Sequence, residues 1–358
     1  MKEIEDDVVI IGAGLTGLYL AYLLRDLPCS IRIIEARPHL GGRILTLKKE
    51  SRAPIEMGAT WFGKKHTEIN KLLSDLSIDQ FEQTLGENAI YEPLSTSPPQ
   101  LVNLPPSGED VSFRIKEGTS TLIDRLLKNF GDSCTIDTNE QVVSIEKQTS
   151  GTFIYTEKKR YLANHVVSTL PPYLLLNSVK FKPELPANIA SLSQNTHTWM
   201  GESIKVGLYY DEPFWRASKL SGTIFSNIGP IPEMYDHSDF DNARFALKGF
   251  MNGAYYSMNK QERLDLILGQ LRKYFGDRAD QYIGYEEKVW RNDPLTFLPY
   301  QSDLLPHQNN GHPSFLKPLF DGTFHIGGSE TASQFPGYME GALRSALHIA
   351  HLLKKRLL

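Results

Sequence analysis

Cysteine is nearly absent from this 358-residue chain: Cys29 and Cys134 are the only two. Two distant thiols build neither a disulfide framework nor a zinc site, so no metal is expected and a reducing, cytoplasmic setting is. An excess of charge of one sign is also missing. Lys and Arg number 38 against 42 Asp and Glu, for a net charge of −4. With no basic block, nucleic acid and anionic membrane surfaces are not expected as partners. Long apolar runs are scarce. The uncharged stretch 8–24 follows Glu3, Glu5, Asp6 and Asp7, where a signal peptide carries basic residues, and it contains three glycines. No other stretch approaches the roughly 18 apolar residues of a membrane helix, so no membrane anchor is expected.

What the chain has is concentrated at its start. Val8-Val9-Ile10-Ile11 runs into Gly12-Ala13-Gly14-Leu15-Thr16-Gly17, an apolar helical run follows, and Ile31-Arg32-Ile33-Ile34 ends in Glu35. Strand, glycine turn, helix, strand and acid make a dinucleotide-binding unit. Gly12 suits the tight turn, Gly14 a close backbone approach to a pyrophosphate, and Gly17 close packing of helix on strand. The helix N-terminus presents unpaired N–H groups and a positive dipole end. Glu35 stands where a carboxylate can accept ribose hydroxyls.

A second glycine element follows: Glu35-Ala36-Arg37-Pro38-His39-Leu40-Gly41-Gly42-Arg43. The Gly41-Gly42 pair suits a loop closing over the nucleotide, with the Arg43 guanidinium near its pyrophosphate. This segment resembles the Glu-Ala-x-x-x-x-Gly-Gly-Arg of flavoproteins of the amine oxidase type. Gly58-Ala59-Thr60-Trp61 is similar to the stretch that passes under the flavin in monoamine and polyamine oxidases; taken alone, it reads as a glycine turn with Trp61 in the core.

The end of the chain carries the other specific match. Gly327-Gly328-Ser329-Glu330, then Gly337-Tyr338-Met339-Glu340-Gly341-Ala342, resembles the Gly-x-Glu and Gly-Tyr-Met-Glu-Gly-Ala motifs of the same family. The resemblance implies an acid, Glu330, near the ribityl–pyrophosphate part of the cofactor. It implies the Met339 N–H at the flavin pyrimidine edge and Tyr338 beside the ring. Between the ends the match is looser. A valine, Val142 or Val143, corresponds to the one that holds the adenine through its backbone. In Gly201-Glu202-Ser203-Ile204-Lys205-Val206-Gly207, Lys205 alone reads as a solvated strand lysine. With Asp211-Glu212-Pro213-Phe214-Trp215-Arg216 after it, the run resembles the segment whose lysine holds a water against flavin N5. Tyr300 corresponds to a second cage tyrosine, and Pro299 to the cysteine that bonds the flavin, which implies non-covalent FAD.

Several element expectations follow from periodicity. Residues 68–76 and 260–275 read as amphipathic helices, 113–130 as a helix capped near Gly118–Thr121, and the last helix as packing through Leu343, Ala346, Leu347, Ala350 and Leu353. Residues 81–112 read as a proline-rich excursion. The fold implied is α/β, with a Rossmann-like FAD domain from separated segments (1–80, 113–195 and 292–358). A mixed-sheet α+β substrate domain (81–112 and 196–291) is inserted. The resemblance implies cofactor contacts at Gly12, Gly14, Gly17, Glu35, Ala36, Arg37, Gly42, Arg43, Gly58, Ala59 and Thr60, besides those named above. It implies hydride transfer from an amine α-carbon to the flavin, hydrolysis of the imine, and reoxidation by O2 to H2O2. An amino-acid substrate is disfavoured, because Trp61 stands where amino-acid oxidases place an arginine. Two alternatives stay open: a related dehydrogenase or desaturase acting on a C–C bond, and a non-catalytic protein like the GTPase chaperones of this fold.

Overall fold

A computed structural model of the chain describes residues 3–83, 85–104, 111–131, 134–218 and 220–358. Strand β1 (Glu3–Ile11) lies between β2 (Ile31–Ile34) and the strand Arg160–Ser168, parallel to both. Cys134–Asp137 extends the parallel set beyond β2. The strand Arg160–Ser168 forks. Its first half pairs antiparallel with Gly151–Thr156, and its last residues pair parallel with Phe324–Ile326. The run Val8–Ile10 is fully buried. Such continuous apolar strands belong in a sheet covered on both faces.

One cover is helix α1 (Leu15–Leu24), which packs with the C-terminal helix Met339–Leu357 in a single apolar cluster. Thr16 Oγ1 donates to the Ala342 carbonyl at 3.2 Å, tying the two helix starts together. The C-terminal helix buries Leu343, Ala346, Ile349, Ala350 and Leu353; Leu347, expected on that face, is only half-buried.

A second sheet runs in the order Tyr282–Val289, Ile204–Tyr210, Phe245–Met251, Glu233–Asp236, Leu220–Ser226, Asn88–Glu92, Gln100–Asn103. It draws strands from both sides of residue 112. The helix Lys260–Phe275 covers one face through Leu264, Ile267, Leu268 and Leu271, and Asn259 with Glu262 forms a capping box at its start. Every residue of Ile204–Tyr210 is buried. Lys205 is therefore no solvated strand lysine.

The span 113–130 is not one helix. Ser112–Ile115 is a strand, paired with Phe62–Gly63 and Gln80–Glu82, and the helix runs over Ser120–Lys128. Thr119 does not cap this helix with its side chain. Its N–H donates instead to Glu56 Oε1 at 2.6 Å, and Ser120 N–H donates to Thr46 Oγ1 at 2.9 Å. The caps come from a distant hairpin, so the local sequence could not show them. Pro105 and Pro106 of the proline-rich excursion lie outside the described residues.

Candidate active site

The carboxyl ends of the parallel strands open into a cavity of about 300 Å³. That is at the lower end of the roughly 300–1,000 Å³ of a small-molecule site. Its lining begins at Gly12 and Gly14, continues over Glu35, Arg37, Gly42 and Arg43, and reaches Gly58, Ala59, Thr60, Trp61, Lys205 and Tyr338. A smaller cavity of about 50 Å³ adjoins it, sharing Gly12, Glu35 and Arg37 and adding Ala36, Glu140, Gln141 and Val142. Val142 lines it and Val143 does not.

The glycine turn tests whether these cavities fit a dinucleotide. Gly12 has φ +101°, and a Cβ there would lie 2.6 Å from Thr169 Oγ1. A Cβ on Gly17 would lie 2.1 Å from the Gly12 carbonyl oxygen. Both glycines are required by the fold itself. Gly14 is different. Its φ −75° and ψ 178° suit any residue, and the nearest atom to an added Cβ is Gly42 Cα at 4.0 Å. Nothing in the protein needs a glycine at 14. The open face it leaves at the start of α1, a helix with no side-chain cap, is a cradle for a phosphate group.

Glu35 is buried at the edge of this cradle. Its Oε2 accepts from Ala13 N–H at 2.8 Å and its Oε1 from Arg37 N–H at 2.9 Å. A carboxylate has about four acceptor positions, so capacity for ligand hydroxyls remains. Arg37 reaches across to Asp293 Oδ1 at 2.9 Å and Thr296 Oγ1 at 2.8 Å.

Arg43 does more than face the cavity. It donates to both carboxylate oxygens of Glu330, at 2.5 and 2.8 Å, and to the Trp199 carbonyl and Ser329 Oγ. Glu330 is fully buried and does not itself line the cavity. Burial alone would raise its carboxyl; the Arg43 guanidinium and the hydrogen bonds outweigh burial and hold it below the usual range.

Lys205 points into the opposite end. Its Nζ donates to the Gly58 carbonyl, and burial lowers it to about 8 against the pull of Glu56. Trp290 Nε1 donates to the Met57 carbonyl at 2.7 Å, fixing the backbone just before Gly58. Met339 lines the cavity at the start of the last helix, which also has no side-chain cap. The adjacent Glu340 turns away. It is buried and accepts from Glu68 and Ile69 N–H at the start of the helix Thr67–Asp75, and from Arg344.

Of the two expected cage tyrosines, one lines the cavity. Tyr338 is at the cavity, with ring neighbours Trp199 at 5.8 Å and His307 at 6.1 Å. Tyr300 is not a lining residue. Its hydroxyl accepts from Thr198 N–H at 2.9 Å, and its ring packs on Tyr173 and Phe297. Residues next to its hydroxyl partner, Trp199 and Met200, reach the cavity instead. Trp199 stacks on His307 with centroids 3.8 Å apart. Sequence reasoning missed Trp199, Glu56 and Lys248. Lys248 is fully buried, and its signal was legible: one charge inside the apolar strand Phe245–Met251.

Comparison with known proteins agrees with this arrangement. The family model described as flavin containing amine oxidoreductase matches residues 99–353, and an NAD(P)-binding Rossmann-like domain matches residues 10–76. The chain is 24% identical to the "Probable flavin-containing monoamine oxidase A" of Dictyostelium discoideum, over 98% of each chain. It is 22% identical to human "Amine oxidase [flavin-containing] B", over 98% of this chain and 87% of that one. Among solved structures, putrescine oxidase bound to putrescine has a TM-score of 0.85 at 22% identity, over 99% of this chain and 100% of that one. Cyclohexylamine oxidase from Brevibacterium oxydans has 0.85 at 20% identity, over 98% and 99%. The chain belongs to the flavin-containing amine oxidoreductase family.

Proposed function

We propose that this protein oxidises a small amine with a non-covalently held FAD, and that O2 is the electron acceptor. One observation carries the reading: a single cavity runs from the Gly12–Gly14 cradle and Glu35 to Lys205, Trp61 and Tyr338. The flavin would supply the acceptor for the hydride leaving the carbon beside the amine nitrogen.

The protein's own groups divide the remaining work. Gly14 and the start of α1 bind the diphosphate, Glu35 the ribose, and Ala36 with the Val142 backbone the adenine. Arg43, braced by Glu330, sets the positive charge beside the diphosphate. The Met339 N–H and its helix dipole stabilise negative charge on the cofactor's pyrimidine edge. Tyr338 and Trp199 form the apolar walls that hold an amine desolvated and neutral. Lys205, whose Nζ donates to the Gly58 carbonyl, would hold a water beside the cofactor and, as an ammonium, would favour charge developing on reduced oxygen. Hydrolysis of the imine then gives aldehyde or ketone. Non-covalent attachment is supported by Pro299 and by the cysteines: neither Cys29 nor Cys134 lines either cavity.

The test is aerobic turnover with benzylamine, tyramine, putrescine, spermidine and an L-amino acid, following oxygen uptake, peroxide and carbonyl product together. The reading requires all three to appear in equal amounts for at least one amine. Bound flavin without turnover of any amine would favour oxidation of a C–C bond. A chain that holds no flavin would favour a binding role.

A further inference from the structure

The strands Ile204–Tyr210 and Phe245–Met251 pair antiparallel, with Lys205 opposite Phe250 and Gly207 opposite Lys248. Residues two apart on a strand share a face, and so do directly opposed residues. Lys205, Gly207, Lys248 and Phe250 therefore lie on one face, with the two lysines on a diagonal. Phe250 stands between the amines: its ring centroid is 5.0 Å from Lys205 Nζ and 4.7 Å from Lys248 Nζ. Lys248 Nζ also lies 3.9 Å from the Trp61 ring centroid. Lys248 does not line the cavity, whereas Trp61 and Phe250 do. It sits behind the aromatic wall.

A continuous hydrogen-bond path joins the two amines. Lys248 Nζ donates to Thr60 Oγ1 at 2.7 Å, and Thr60 Oγ1 donates to the Gly58 carbonyl at 3.2 Å. The same carbonyl accepts from Lys205 Nζ. Both amines are also within electrostatic reach of one buried carboxylate, Glu56. A fully buried lysine with no ion pair among the described residues is a costly element in a strand.

We propose that Lys248 is a positioning residue for Lys205, the two amines acting as one unit through the Thr60 hydroxyl and the Gly58 carbonyl. The ionisable groups around Lys248 are Lys205 on the adjoining strand, Glu56 from the 55–58 segment, Arg114 on Ser112–Ile115, Glu233 on Glu233–Asp236, and His237 just after it. Burial first, then Lys205, pushes Lys248 well down, while Glu56 pulls it up. The assignment rests on the amine-oxidation reading only for what Lys205 does in turnover.

The test needs no substrate. Flavin-loaded protein carrying 13C-labelled lysine is titrated by NMR, with Lys205 assigned by the signal lost in Lys205→Met. The expected wild-type result is a pair of lysine signals titrating below all others. In Lys248→Met one disappears and the Lys205 signal shifts by about half a pH unit or more, because Thr60, which shares the Gly58 carbonyl with Lys205, has lost its donor. Thr60→Val breaks the same path and is read the same way if Lys248→Met does not fold. A Lys205 signal that titrates unchanged in the folded variant overturns the proposal. Failure of all amines to react would leave this result standing, and the converse also holds.

Discussion

Arg43 and Glu330 stand 287 residues apart in the chain, yet both carboxylate oxygens of Glu330 accept from one Arg43 guanidinium. The pair fastens the second glycine loop to the turn before the last helix. Removing one partner strands a buried charge. Arg43→Met should lower stability by about 3 kcal/mol and abolish flavin retention. Arg43→Met with Glu330→Leu should regain part of the stability and none of the flavin. Denaturant melts and flavin content of the purified variants check both.

The glycine turn separates ligand need from fold need. Gly14→Ala places its Cβ in open space and should change the stability of the flavin-free protein by less than about 0.5 kcal/mol, while flavin retention falls sharply. Gly17→Ala meets the Gly12 carbonyl oxygen at 2.1 Å and should lower the melting temperature itself. Equal thermal penalties in the two variants would remove the case for a phosphate at residue 14.

Lys205 makes stability depend on alkaline pH. Burial lowers it to about 8 in the folded chain, against about 10.4 in the unfolded one. Below pH 8 both states carry the proton and folding bears the full cost of the buried charge. Between about pH 8 and 10.4 the unfolded chain binds more protons, so stability rises with pH, by on the order of 3 kcal/mol at most. Lys205→Met should be the more stable protein at pH 7, with the difference closing as pH rises through that window. Paired melts from pH 6.5 to 10 measure it.

The aromatic wall gives a contrast between two tyrosines. Tyr338→Ala should lower kcat/KM about tenfold or more, because a cavity wall is removed. Tyr300→Phe loses the bond from Thr198 N–H, and should cost about 1 kcal/mol of stability with kcat/KM changed less than about twofold. Trp199→Ala should resemble Tyr338→Ala.

These contrasts mark how far the sequence could be read. The glycine turn and Glu35 were legible because strand, turn, helix and acid are contiguous and each has its own local signal. The Lys260–Phe275 helix was legible to the residue, since Asn259 and Glu262 cap it locally. Residues 113–115 were misread as helix because what makes them strand is their pairing with Phe62–Gly63 and Gln80–Glu82. Spacing from Trp290 suggested a cage role for Tyr300, and no local pattern reports that its hydroxyl accepts from Thr198 N–H, about a hundred residues earlier. Glu56 and Lys248 come together through different sheets, which no local pattern reports. Among the described residues, no helix is long and apolar enough to cross a membrane.

The most direct measurement of the central claim is anaerobic mixing of the purified protein with single amines, watching the visible flavin band. The account predicts a protein that is yellow as isolated, releases its flavin on acid denaturation, and is bleached by at least one amine. Readmitted oxygen should restore the colour quickly in wild type and slowly in Lys205→Met. A flavin band that no amine bleaches would contradict the assignment of this cavity to amine oxidation.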